Sequence, residues 1–150
     1  MRRSATFALA TLLLATPAAG QSGTSAPEIS PDVLERQLMR QLSQMDDATL
    51  IIGAGFGVSA PRCGWRDEAW GQDVTRLTMS VLTNSGYSTS DAARFSNAVE
   101  RRTMDEVALA GREKFCADAA KLPAHAENLR LWDSAVATLR DVDRRRAQGR

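Results

Sequence analysis

Cys63 and Cys116 are the only cysteines in the chain, and everything between them is compatible with helix. A leader sequence directs them to an oxidising compartment, where an isolated pair closes into one disulfide. The loop so closed holds 52 residues. Loop-closure entropy assigns about 4 kcal/mol to such a cross-link, against a usual domain stability of roughly 5–15 kcal/mol. A redox-active pair normally shows Cys-x-x-Cys spacing and a thiolate-stabilising neighbour. Neither stands out here, so the sequence is read as holding one structural bridge.

The leader is residues 1–20. Arg2 and Arg3 form a short positive start, Phe7 to Ala15 is apolar apart from Thr11, and Thr16 to Gly20 offers small residues for cleavage after Ala18, Ala19 or Gly20. The apolar run falls short of the roughly 20 residues a spanning helix needs, and no second run exists. The position two after the arginine pair is Ala5, not an aromatic, which favours the ordinary secretory route over the twin-arginine one. The expectation is a periplasmic or secreted protein with no membrane segment after cleavage. No Asn-x-Ser/Thr acceptor occurs, which favours a bacterial periplasm.

Cleavage leaves 130 residues, enough for one core, with 17 basic against 18 acidic side chains. That balance gives no electrostatic support to nucleic-acid binding. The one basic run, Arg144, Arg145, Arg146 and Arg150, suits the end of a helix. Residues 21–28 are small and polar and read as a disordered lead-in. The single domain is expected over 29–146, with a frayed tail at 147–150.

Ser30, Pro31 and Asp32 announce a helix start, and Leu34, Leu38, Leu42 and Met45 then line one face. The glycine-rich run from Thr49 to Val58 imitates a dinucleotide fingerprint. Its third glycine comes one residue early, however, and Pro61 stands where a helix should open. Two readings remain: the first helix extends to 58 with glycines allowing close approach, or the run is a buried connector. Trp70, Val74, Leu77 and Val81 mark a helix over about 67–84, closed by Gly86. Ser88 and Asp91 stand in capping-box register and open a helix that runs to Lys121. Phe95, Val99, Thr103, Val107 and Ala110 form one stripe of it, and Met104, Ala108 and Phe115 another; Arg101 and Asp105 are placed to pair. After Pro123, Leu129, Trp132, Val136 and Leu139 define a last helix over 124–144. The fold class is therefore all-α, an irregular bundle of about four helices stapled by Cys63–Cys116.

Signals for chemistry are sparse. His125 is the only histidine, and with Glu127 and Asp133 it does not complete a metal shell. Motifs for a nucleophile elbow, zinc protease, P-loop or haem attachment are lacking, so no metal or other cofactor is expected. Trp65, Arg66, Asp67 and Trp70 form the one surface suited to stacking on a sugar or peptide. The leading expectation is a non-enzymatic helical binding or accessory protein acting through a helix face or groove on an envelope protein or ligand. A holdase chaperone is an alternative, motivated by Met39, Met45, Met79 and Met104. The other is a carboxylate-based hydrolase using Asp67 and Glu68.

Overall fold

A computed structural model describes residues 29–149. The proposed leader 1–20, the lead-in 21–28 and the last residue of the tail lie outside the described residues. Those described form six helices and no strand: α1 (Pro31–Leu42), α2 (Asp47–Cys63), α3 (Glu68–Asn84), α4 (Thr89–Ala110), α5 (Arg112–Ala120) and α6 (His125–Ala147). None of these helices is long and apolar enough to cross a membrane.

The expected count of about four is corrected to six, for two local reasons. The first helix does not run on to 46 or 58. It tightens at Ser43–Met45, and the Asp46 carboxylate then accepts the Thr49 N–H at 2.7 Å, starting a new helix at Asp47. The glycine-rich run is thus helical, but in an element of its own. The expected helix over 89–121 breaks at Gly111, whose φ of 80° and ψ of 140° no helix contains.

Other boundaries follow their sequence signals. Pro31 opens α1 after an extended Ser30. Asp67 caps α3, accepting the Trp70 N–H at 2.7 Å. At α4, the Ser88 hydroxyl accepts the Asp91 N–H at 3.1 Å and donates to the Asp91 carboxylate at 2.6 Å. Gly86, with φ of 95°, lies just beyond the end of α3.

The core gathers Leu38 and Leu42 from α1, Phe56 and Ala60 from α2, and Trp70, Val74, Leu77 and Val81 from α3. Leu129, Trp132, Val136 and Leu139 of α6 close it, with Trp132 fully buried. Glycine makes this packing possible at two points. A Cβ on Gly53 would stand 1.9 Å from Trp132 Cζ2, so the indole lies directly against bare α2 backbone. A Cβ on Gly71 would stand 2.4 Å from the Gly57 carbonyl oxygen. Pro61, four residues after Gly57, has no N–H to offer that carbonyl, so the same position supplies both the free oxygen and the close α2–α3 approach.

Ion pairs fix how α3 and α6 align. Arg66 meets Asp133 at 2.5 Å, Asp73 meets Arg140 at 2.7 Å, and Arg76 meets Asp143. All three partners are 67 residues apart, so the helices run parallel, and the sign alternates at each rung. A shift by one rung would oppose like charges. Arg146 then reaches Asp32 at 2.8 Å and Glu35 at 2.6 Å, clamping the end of α6 to the start of an antiparallel α1. Within the basic run, Arg146 makes this clamp, and Arg144 and Arg145 pair with Asp141.

Cys63 at the end of α2 and Cys116 in α5 have their sulfurs at bonding distance and their Cα atoms 5.5 Å apart. This bridge ties down a helix with no fully buried residue of its own.

Candidate functional site

The tryptophan cluster assembles at the α2–α3 corner, but its members are occupied. Trp70 is 4 % exposed and belongs to the core. Asp67 caps α3. Arg66 donates from Nε and Nη2 to both oxygens of Asp133, at 2.7 and 2.5 Å, and from Nη1 to the Trp65 carbonyl. This fork holds the Asp133 carboxyl below its usual range; the nearby Trp70 indole N–H adds to the lowering without reaching hydrogen-bond geometry. Glu68 is exposed and lines an open cleft with Arg62, Gln72, Thr75 and Glu100, apart from the capping Asp67. Of the four methionines, Met39 and Met45 pack on the core, Met79 is half-buried, and Met104 alone is exposed.

Trp65 points elsewhere. Its ring meets His125 edge-on, with centroids 4.4 Å apart at 78°, and meets Phe56 at 6.3 Å and 80°. Phe56 and His125 complete the cluster at 5.3 Å and 81°. His125, the first residue of α6, is placed here because the chain bends at Lys121–Ala124 and its N–H donates to the Leu122 carbonyl at 2.9 Å. Burial among these rings lowers its pKa, so the imidazole is neutral near pH 7. Its Nδ1 is buried without a hydrogen-bond partner.

On the far side of Phe56 and His125 lies an open pocket of about 230 Å³. Phe56 of α2, Phe115 of α5 and Leu122 of the bend form its apolar wall, while Ser59, Thr103, Glu106 and Asn128 supply polar groups. It shares Gly55, Thr103 and Glu106 with a second cavity of about 470 Å³ between α2 and α4, lined by Ile51, Phe95 and Val99. Together they form one groove along α2. Leu122, Ile51 and Ile52 are 62 %, 48 % and 43 % exposed beside it, unusual for residues of this size.

Serine, histidine and glutamate share the pocket, but no hydrogen bond connects Ser59, His125 and Glu106. Glu106 instead accepts from Arg102 Nε at 3.0 Å, in place of the Arg101–Asp105 pair expected on this helix. A nucleophile and base act within hydrogen-bond reach; here Ser59, Glu106 and His125 stand as separate polar groups around the apolar wall. Among the described residues no group of three His, Cys, Asp or Glu side chains could hold a metal ion.

Sequence reasoning missed this groove because it assigned Phe95 and Val99 to a core stripe. In the structure Phe95 and Val99 are only half-buried, while Thr103 of the same stripe is buried. Phe115, adjacent to Cys116, carried the one available signal: a bridge at 116 must bring its neighbour to α2. Neither a protein-family model, nor a curated protein, nor a solved structure matches the chain.

Proposed function

We propose that this protein is a small exported binding protein, not an enzyme, whose α2–α4–α5 groove receives apolar side chains of a partner polypeptide. The observation that carries the reading is the groove itself: two connected compartments walled by Phe56, Phe115 and Leu122 at one end and by Ile51, Phe95 and Val99 at the other. A cavity of about 150 Å³ holds benzene, so the compartment of about 230 Å³ takes one ring-sized or branched side chain. Two such compartments in line suit apolar residues repeated along one face of a helix. The leader-like residues 1–20 support export to the periplasm, and protein recovered from that compartment should begin at Ala19, Gly20 or Gln21.

Gly55 supplies the test. It lies in the floor shared by both compartments, and the nearest atom to a Cβ built there is Thr103 Oγ1 at 3.8 Å. Gly55→Leu therefore fills the groove without straining α2. In a peptide array varying Phe and Leu at i and i+4, peptides carrying both should bind and shift the emission of Trp65, which touches the pocket's Phe56 and His125. Gly55→Leu should abolish the shift. Binding indifferent to Gly55→Leu, or binding of dodecanoate but of no peptide, counts against the reading.

A further inference from the structure

The groove has a movable wall. α5 contributes Phe115 and Ala119 to the pocket, yet buries no residue completely. At its start stands Gly111, with φ of 80° and open space where a Cβ would go; at its end is the exposed bend at Lys121–Ala124. Between this glycine and the exposed bend the covalent tie to α2 is Cys63–Cys116.

That tie is accessible. Both cysteines are only partly buried, and they border a surface cleft of about 680 Å³. Arg112 and Lys114 line the cleft with Glu113; Lys114 pairs with Asp118, leaving Arg112 as the cation of the cleft without an ion pair among the described residues. Cationic neighbours stabilise a departing thiolate, and accessible disulfides are the ones that exchange readily. The Cys63–Cys116 spacing excludes a Cys-x-x-Cys catalyst, but a reducible latch does not need one.

We propose that Cys63–Cys116 is a redox latch for the groove, opened by a dithiol protein of the thiol–disulfide oxidoreductase class that reaches the sulfurs through the Arg112–Lys114 cleft. One partner thiolate attacks a sulfur of the bridge, forming a mixed disulfide and releasing the other cysteine as thiolate, which takes up a proton. The partner's second thiol, losing its proton, then attacks the partner sulfur of the mixed disulfide and expels this chain's remaining cysteine as a thiolate, which is protonated, leaving two cysteine thiols on this chain and a disulfide on the partner. Two electrons and two protons pass to this protein. α5 is then held only by non-covalent contacts with α2, α4 and α6, Phe115 and Ala119 among them, and the pocket's wall is free to move. The consequence for binding rests on the groove reading above; the opening of α5 does not.

Limited trypsin digestion of the full chain reads the opening directly, because Arg112, Lys114 and Lys121 flank or lie in α5. After dithiothreitol under native conditions, thiol trapping and mass analysis should find two modified cysteines in a chain that keeps its cooperative thermal transition. Cleavage at Arg112, Lys114 or Lys121 should then be roughly tenfold faster or more, with the arginines of α3 and α6 spared. A Cys63→Ser, Cys116→Ser variant should show the same cleavage pattern without reductant. If that variant does not fold, the dithiothreitol arm on the native chain decides. Cysteines that resist reduction until the whole chain unfolds, or that are trapped with cleavage unchanged, overturn the latch. Accelerated cleavage in a protein whose oxidised form binds no array peptide upholds the latch and removes only the groove reading.

Discussion

α5 and α6 follow one another in sequence, yet they are held by different means. α6 buries six side chains, aligns with α3 through three charge-alternating rungs, and is clamped to α1 by Arg146. α5 buries none: it touches α2, α4 and α6 through partly buried side chains and carries the one covalent bridge. Helices in proteins owe most of their stability to a packed face, so α6 is secured along its length and α5 at a point. The exposed apolar groove lies on the side that is secured at a point. Low local stability and a binding surface belong together, because a surface that must admit a guest cannot already be filled.

The largest expected effect is on the well-packed side. Gly53→Ala drives a methyl into the buried Trp132 indole, which has no room to retreat, and should lower global stability by about 3 kcal/mol. Gly71→Ala meets backbone at Gly57 and should cost about 2 kcal/mol. Urea denaturation measures both, and a near-neutral result at either position would mean the α2–α3–α6 core is looser than its geometry.

Gly111→Ala places a side chain at φ of 80° and ψ of 140°, a strain of about 1–3 kcal/mol. If α5 is an independently mobile arm, that strain should appear as faster tryptic cleavage around Arg112 with little change in the global urea midpoint. A global loss as large as that of Gly53→Ala would erase the distinction between the two sides. Gly55→Ala is the opposite case. In a helix, with open space beside it, it should gain about 0.5–1 kcal/mol.

Acid should weaken the Arg66–Asp133 pair between the start of α3 and α6. Arg66 lowers the folded-state pKa of Asp133, so the native form binds that proton less readily than the unfolded chain. The stabilisation is complete above the unfolded carboxyl pKa of about 3.9 and is lost as pH falls through the lower folded value. Urea midpoints of the native chain and Asp133→Asn should therefore converge below about pH 4. The smallest effect concerns His125, whose pKa burial lowers from 6.5. Its neutral form favours the fold above that value, and the contribution falls as pH drops from there through the folded pKa. A proton-NMR titration of the single imidazole should give a midpoint below 6.5; a midpoint at or above it would place His125 in water rather than among Phe56 and Trp65.

The secured side was legible in the sequence because its signals are local and periodic. The stripes Leu129–Trp132–Val136–Leu139 and Trp70–Val74–Leu77–Val81 each state one helix and its face. The bridge was legible from the cysteine count. The six-helix count was not, because Asp46 and Gly111 are single residues whose capping or left-handed geometry overrides an otherwise continuous pattern. The ladder was invisible for another reason: Arg66, Asp73 and Arg76 acquire meaning only beside Asp133, Arg140 and Asp143, and nothing local says that α3 and α6 are neighbours. The groove was misread because a stripe of Phe95 and Val99 looks the same whether a core or a guest is to cover it.

Native-state hydrogen exchange on the oxidised chain tests the two-sided account most directly. Amides of α3 and α6 should exchange only through global unfolding, with a denaturant dependence equal to that of the whole domain, while those of α5 should open earlier and with a smaller dependence. Protection of α5 equal to that of α6, reached through the same global event, would contradict it.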